Sequence, residues 1–386
     1  MNDLLIPRII RSGAGRRHEL HTLCERLEIR RLLIVMSKSV AFVYEEELIE
    51  QFKRSAITVN FFLKPEGEPT MEHVNQAVEL VHELDIDGIC GLGGGSVLDL
   101  AKAVSVFALD DELRLDDVPL RWKVQRLPLI AVPTTAGTGS EATKVMVITD
   151  KQAGVKKNPA HPDLIPDVAL LDPELTSQLP KRPAAYAGLD ALAHAIEAYC
   201  STKASLFSNH FAEQAIQLFR QSFKRSLDET SEMVAREQML IASCYAGIAF
   251  SNSSTNLAHA MARPLGNATG MPHGLSVALL LPYVVSFGEQ ALEQKHRHIA
   301  RLLGNTEEDL LAELQSLNEF ANISTDARTY LHHQVLVEEL VSQALQGNGI
   351  RTNCRVPTQE DIYHIYEQIL TLTQNEPIKK GGVMHG

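Results

Sequence analysis

The stretch IDGICGLGGGSVLDLAKAVSVFA, residues 86–108, decides the fold class of this chain. It begins with a short apolar run of the kind that forms a buried strand, and its apolar residues after Ser96 recur at helical spacing. Between these parts lie four glycines, at 91 and 93–95, where the backbone can turn sharply and approach a ligand closely. The order of strand, glycine turn and helix predicts a βα unit.

The chain on both sides of this turn alternates between strand and helix patterns. Apolar runs predict strands in RRLLIVMS (30–37), LPLIAVPTTAG (127–137) and DVALLDPELT (167–176). The stretch EPTMEHVNQAVELVHELD (68–85) has apolar residues at helical spacing after the N-cap candidate Thr70. Strands that alternate with helices predict βαβ units and a parallel sheet.

From about Pro183 the strand patterns end and helical periodicity remains. Helices are predicted in AAYAGLDALAHAIEAYCS (184–201), FSNHFAEQAIQLFRQSF (207–223) and SEMVAREQMLIASCYAGIAFSN (231–252). We therefore predict an α/β dinucleotide-binding domain over 1–180 and an all-α domain over 181–386. The tail KKGGVMHG (379–386) is expected to be disordered.

A second polar loop, PTTAGTGSEAT (133–143), follows a predicted strand and is rich in hydroxyl groups. In open α/β sheets, ligands bind at the carboxyl ends of the strands. The two loops together therefore predict one nucleotide that straddles them. Each loop alone also has a simpler interpretation, as a tight βα turn for the glycines and as a turn capped by its own Thr and Ser side chains for the second loop.

Four residues have the chemistry of a metal site. In GLDALAHAIEAY, Asp190 and His194 are four apart on a predicted helix and so share one face. His259 lies in NLAHAMA and His273 in MPHGLSVALLLP. One carboxylate and three imidazoles suit Fe(II) or Zn(II). The alternative is that Asp190 and His194 form a solvated helix face and that the other histidines are ordinary hydrogen-bonded residues.

In their order and spacing, these stretches and LIPDVALLDPELT resemble the iron-containing (group III) alcohol dehydrogenase family, over residues 91–274. The resemblance implies a dinucleotide-binding N-terminal domain, an all-helical C-terminal domain and a homodimer. It also implies metal-dependent hydride transfer between NAD(H) or NADP(H) and a small alcohol or aldehyde, with Fe(II) or Zn(II) as the metal.

The resemblance carries site residues over by position. The implied metal ligands are Asp190, His194, His259 and His273. The implied cofactor residues are Gly93, Gly94, Gly95, Ser96, Asp99, Thr134, Thr135, Thr138 and Lys156.

Arg263 departs from the family pattern, since many members have a histidine four residues after the third metal ligand. An arginine stays protonated and cannot relay a proton, but its guanidinium can bind a carboxylate, phosphonate or sulfonate through two hydrogen bonds. We therefore hypothesise a small aldehyde or alcohol substrate that carries an anionic group, contacted by Arg263. The alternative is that Arg263 pairs with a protein carboxylate or with the cofactor phosphates.

Ser37 is a second departure, at the end of the strand in LLIVMSKSV. NAD-preferring relatives often have an aspartate there, which binds the ribose hydroxyls and repels a 2′-phosphate. Ser37 removes that repulsion and Lys38 follows it, so the sequence permits NADP(H) as the cofactor. The alternative is an NAD enzyme with relaxed cofactor choice.

Composition excludes several other classes of protein. A formal net charge of -12 argues against a nucleic-acid partner. The five cysteines are scattered without a CxxC pair, which favours reduced thiols in the cytoplasm. The stretch MNDLLIPRIIRSG has charges within its apolar run, unlike a signal peptide, and no transmembrane span or membrane partner is predicted.

Three rival interpretations share parts of these patterns. A glycerol dehydrogenase-like polyol oxidoreductase and a dehydroquinate synthase-like lyase have a similar fold. The lyase has a glutamate as its first metal ligand, so Asp190 argues against it. A non-catalytic nucleotide-binding or metal-binding module is the third alternative.

Overall fold

The computed structural model describes residues 3–151, 155–228, 233–331 and 336–371. The predicted disordered tail lies outside these residues. The chain forms two compact units, the first made of Met1–Tyr199 and Lys203–Ser254 and the second of Cys200–Thr202 and Thr255–Gly386. The predicted domain division near residue 180 follows the change in secondary structure, and it stays a prediction.

The first unit is built on a parallel sheet of six strands in the order β1-β8-β5-β4-β2-β3. Two further short strands, β6 and β7, pair antiparallel. The strands are β1 (Ile9–Ser12), β2 (Arg31–Ser37), β3 (Thr58–Lys64), β4 (Gly88–Gly93), β5 (Leu129–Pro133), β6 (Ile148–Asp150), β7 (Val155–Lys157) and β8 (Val168–Leu171).

The helices of the first unit are α1 (Leu20–Arg26), α2 (Lys38–Phe52), α3 (Met71–Glu83), α4 (Gly95–Phe107), α5 (Lys181–Cys200), α6 (Leu206–Ser226) and α7 (Met233–Ser251). Neighbouring residues of a strand pack into two different hydrophobic cores, one on each face of the sheet. Leu33 belongs to the core that includes α3 and α4, and Ile34 belongs to the core that includes α1 and α2. Because both faces of the sheet are covered, its inner strands are apolar throughout, as expected for a parallel sheet.

The predicted α/β class is confirmed, as are the predicted strands and the helix after Thr70. The Thr70 side chain accepts a hydrogen bond from the His73 backbone N–H and so caps α3. Strands β1 and β3 were not predicted. Each lies at an edge of the sheet and is only partly buried, which breaks up the apolar pattern of a strand.

The regular elements described in the second unit, between 255 and 371, are all helices. They are α8 (Leu257–Thr269), α9 (His273–Leu303), α10 (Leu310–Phe320), α11 (Ile323–Arg328), α12 (Val337–Leu345), α13 (Gly349–Thr352) and α14 (Gln359–Thr371). Among the described helices, α9 is long and apolar enough to cross a membrane, but 67% of its most apolar window is buried within the protein. That degree of burial is typical of a core helix.

Candidate cofactor and metal sites

The glycine turn joins the end of β4 to the start of α4. Gly94 is extended (φ -74°, ψ 179°) and precedes the first helical residue, and no side chain caps this helix end. A Cβ on Gly93 would lie 2.7 Å from Val97 Cβ, and one on Gly95 would lie 2.7 Å from Thr138 Cγ2. A side chain at either position would therefore force Val97 or Thr138 to move. The turn presents a helix N-terminus at the carboxyl edge of the sheet, where anions bind readily.

The hydroxyl-rich loop lies beside the glycine turn because β5 is the parallel neighbour of β4. Pro133 is in register with Gly93, and the Thr134 backbone N–H donates a hydrogen bond to Gly93 O at 3.0 Å. Thr135 and Thr138 lie against the turn, since their side chains are the nearest neighbours of Gly94 and Gly95. The structure thus brings the two predicted loops together at one edge of the sheet.

Ser37 and Lys156 lie on other elements of the first unit. Ser37 ends β2, which is the neighbour of β4 on its other side, and its hydroxyl caps α2 by accepting a hydrogen bond from Val40 N–H at 3.3 Å. Lys156 lies on β7, and its ammonium is 3.2 Å from a carboxylate oxygen of Glu68. Ser37 is therefore at the carboxyl edge of the sheet, next to the glycine turn.

Asp99 lies one turn into α4, and its carboxylate is used within the protein. One oxygen accepts a hydrogen bond from Ser140 Oγ at 2.6 Å and the other from Val147 N–H at 3.0 Å. Burial raises the pKa of this carboxyl group, while Lys102 and the two hydrogen bonds act in the opposite direction. Asp99 therefore holds the end of the hydroxyl-rich loop, at Ser140, and the chain just after the loop, at Val147.

Two buried charged residues near Asp99 were not singled out from the sequence. Lys102 is fully buried, and burial lowers the pKa of its ammonium to about 8. Glu141 is 1% exposed, and burial raises the pKa of its carboxyl group to about 7. The sequence does contain a feature that indicates the burial of Lys102, because this charged residue lies in an otherwise apolar part of a predicted helix.

The first pair of candidate metal ligands lies on α5. Asp190 and His194 are 2% and 6% exposed, with His194 Nδ1 3.9 Å from Asp190 Oδ2. The His194 imidazole stacks on Phe250 with a centroid distance of 4.4 Å, which fixes the plane of its ring. Because both side chains are buried, the solvated-face interpretation is wrong, and a carboxylate and an imidazole are held one helical turn apart.

The second pair lies in the other unit, at the turn between α8 and α9. His259 is 2% exposed, and His273, the first residue of α9, is exposed. Their ring centroids are 5.5 Å apart and they offer ligand atoms within 4.8 Å of each other. Arg263 is half-buried and lies one turn after His259, on the same face of α8.

The sequence matches two family descriptions in succession. "Iron-containing alcohol dehydrogenase" matches residues 7–173, and "Fe-containing alcohol dehydrogenase family, C-terminal" matches residues 184–370. The chain is similar to the probable alcohol dehydrogenase EutG of Escherichia coli (strain K12), with 37% identity over 346 residues that cover 86% of both chains. It is similar to the NADPH-dependent butanol dehydrogenase of Clostridium saccharobutylicum, with 33% identity over 95% of this chain and 97% of the relative.

Solved structures agree with these matches. The sulfoacetaldehyde reductase from Bifidobacterium kashiwanohense in complex with NAD+ has a TM-score of 0.88 and 27% identity, over 97% of this chain and 100% of that one. These findings do not favour the glycerol dehydrogenase-like or dehydroquinate synthase-like alternatives. The chain therefore belongs to the iron-containing alcohol dehydrogenase family, whose members are NAD(P)-linked oxidoreductases that act on CH–OH groups.

Proposed function

We propose that this protein transfers hydride between a nicotinamide cofactor and a small alcohol or aldehyde, and that the aldehyde or alcohol carries an anionic group. The observation that carries the reaction class is the match of both halves of the chain to the iron-containing alcohol dehydrogenases. The substrate class is carried by Arg263, as argued below. In this proposal residues 1–180 form the dinucleotide-binding domain and 181–386 the metal-binding domain.

The cofactor residues are proposed from the carboxyl edge of the sheet. Backbone N–H groups at the start of α4, with Gly93, Gly94, Gly95 and Ser96, bind the pyrophosphate, because a helix N-terminus favours an anion. The hydroxyl-rich loop lines the same site through Thr134, Thr135 and Thr138. Lys156 is directed at the nicotinamide ribose. Asp99 lines the same site from α4, through its hydrogen bond to Ser140 of the hydroxyl-rich loop.

The proposed metal ligands are Asp190, His194, His259 and His273. A buried carboxylate and imidazole on α5, with two adjacent imidazoles at the α8–α9 turn, supply a donor set that fits Fe(II), with Zn(II) as the alternative. When bound, such a metal supplies Lewis-acid polarisation of the substrate oxygen. The protein's own contribution is to orient the substrate carbon toward the nicotinamide and to exclude water.

Arg263 is proposed to bind the anionic group of the substrate. It follows the metal ligand His259 by one helical turn, and its guanidinium remains charged at any working pH. The similarity to a sulfoacetaldehyde reductase supports a sulfonate or a group of the same charge.

We also propose a cytoplasmic homodimer. The five cysteines are free thiols in the structure, as expected for a reducing compartment. Light scattering of the purified protein tests the dimer, and a mass equal to one chain would contradict it.

The test of the function is an anaerobic assay of the purified protein loaded with Fe(II), in which oxidation of NADH and NADPH is followed by absorbance. Propionaldehyde is compared with succinic semialdehyde, phosphonoacetaldehyde and sulfoacetaldehyde. Oxidation of the cofactor that depends on an aldehyde supports the reaction class, and preference for an anionic aldehyde supports the substrate class. A fully loaded protein that oxidises neither cofactor with any aldehyde would contradict the proposal.

The choice between NADH and NADPH is predicted to depend on Ser37. Ser37→Asp is expected to lower kcat/KM for NADPH by about tenfold or more, because the new carboxylate lies where a 2′-phosphate would bind. Kinetics with NADH should change little, since an aspartate can also cap α2. Ser37→Ala is the control that removes the hydroxyl without adding charge. Equal losses with NADH and NADPH in Ser37→Asp would contradict the assignment.

A further inference from the structure

The segment Gly139–Val147 contains the last residues of the hydroxyl-rich loop (133–143) and the four residues after it, and two charged side chains of α4 hold it. Asp99 accepts hydrogen bonds from Ser140 Oγ at 2.6 Å and from Val147 N–H at 3.0 Å. These contacts are near the two ends of the segment. A single carboxylate therefore bridges the start and the end of the Gly139–Val147 segment.

Lys102, three residues later on the same side of α4, holds the middle of this segment. Its ammonium donates hydrogen bonds to Thr143 O at 3.0 Å, Thr143 Oγ1 at 2.9 Å and Val145 O at 2.7 Å. An ammonium has three protons, so every proton of this buried group has an acceptor. The carboxylates of Asp99 and Glu141 are its nearby opposite charges.

The opposite side of the segment packs closely against α7. Gly139 has φ +60°, and a Cβ there would lie 2.6 Å from both Gly247 Cα and Ser243 O. The Lys144 backbone N–H donates to Ser251 Oγ at 3.0 Å. The segment is thus held between α4 and α7 and cannot shift without breaking buried polar contacts.

The position of this segment determines the position of Thr134–Thr138, the part of the hydroxyl-rich loop that precedes it. Thr138 is the residue next to Gly139, and its side chain lies directly against Gly95 in the glycine turn. A displacement of Gly139 would therefore move Thr138 relative to the start of α4. Thr138 and Gly95 both belong to the proposed cofactor site.

We propose that Lys102 and Asp99 are positioning residues. They hold Thr134–Thr138 of the hydroxyl-rich loop in the conformation that binds the nicotinamide adenine dinucleotide cofactor. The proposal rests on the proposed function, because it assigns the two side chains to the cofactor site. They act through the Gly139–Val147 segment and not through contact with substrate. Removal of the Lys102 ammonium takes the donor from three acceptors and the nearby positive charge from the buried Asp99 and Glu141 side chains, so the segment is expected to rearrange.

The test is the affinity of Lys102→Met for NADH and NADPH, measured by titration of nicotinamide fluorescence. The dissociation constant of the preferred cofactor is expected to rise at least about tenfold. The KM for the aldehyde and the metal content should stay within about twofold of wild type, a split that general destabilisation would not produce. Ser105→Ala is the control, because Ser105 is buried on α4 and its hydroxyl donates to the backbone oxygen of Lys102 and not to the Gly139–Val147 segment.

A milder variant keeps the proposal testable if Lys102→Met does not fold. Thr143→Val removes one acceptor of the ammonium and retains the backbone contacts, and it should raise the dissociation constant of the cofactor by about threefold. A folded variant at Lys102 or Thr143 with wild-type cofactor affinity, or with the same change as Ser105→Ala, would overturn the positioning role. A wild-type protein that binds neither NADH nor NADPH would instead overturn the proposed function itself.

Discussion

Asp190→Asn is expected to purify with less than about a tenth of a metal ion per chain and to lose about 10³-fold in kcat/KM. The substitution keeps the shape of the side chain and removes the only carboxylate of the proposed ligand set. Lewis-acid polarisation of a substrate oxygen contributes several kcal/mol to catalysis, and each 1.4 kcal/mol or so is a factor of about ten in rate. Elemental analysis of the protein loaded with Fe(II), together with steady-state kinetics, measures both effects.

A matched control separates loss of a ligand from loss of a buried residue. His161 is as buried as His194, at 6% exposed, and it lies outside the proposed ligand set. His161→Gln should keep the metal and most of the activity. Full metal content in Asp190→Asn, or equal metal loss in His161→Gln, would contradict the assignment of Asp190.

The same measurement tests whether the two histidine-containing pairs bind one ion. His259→Gln removes a ligand from the pair at the α8–α9 turn, and it should abolish metal binding as completely as Asp190→Asn. A wild-type protein with two ions per chain, each lost independently on substitution of one pair, would contradict a shared site.

Arg263→Ala is expected to raise the KM for an anionic aldehyde by about 10- to 100-fold while the KM for propionaldehyde changes by less than about twofold. A hydrogen bond to a charged group is worth about 1.5–3 kcal/mol, and propionaldehyde lacks the anionic group that would accept such bonds from the guanidinium. Steady-state kinetics with sulfoacetaldehyde and propionaldehyde as a pair of similar size measures the difference.

Arg263→Lys distinguishes the geometry of the contact from its charge. Lysine keeps the positive charge but lacks the planar fork of a guanidinium, so it should restore part of the affinity for the sulfonate. Equal losses with the anionic and the neutral aldehyde would return Arg263 to a structural role. The protein would then remain an alcohol dehydrogenase with a neutral substrate.

Much of the fold could be predicted because its signals are local. The spacing of apolar residues in β2 and α4 and the capping residue Thr70 lie within one or two turns of the elements that they define. Strand β1 has no such signal, since it is four residues long and partly exposed. Its strand conformation depends on β8, where Ile9 pairs with Val168 far along the chain.

For the candidate site, too, some features could be predicted from the local sequence and others could not. The residue types and their spacing predict which glycines form the turn and which hydroxyl groups follow the next strand. The spacing could not show that Asp190 and His194 are buried, because a polar pair on one helix face is equally compatible with solvent. Burial depends on what packs over that face, which in this protein includes the ring of Phe250.

The sequence by itself determined the family and the alternation of strands and helices in the first half, and it predicts the residues that would bind a cofactor and a metal, because motifs and periodicity are properties of neighbouring residues. Only the tertiary structure decided what Asp99 and Lys102 do. Their partners Ser140 and Thr143 are each 41 residues away, and Val147 is 48 residues from Asp99. No local pattern encodes such contacts, since they exist only after the sheet has placed the end of β5 beside α4.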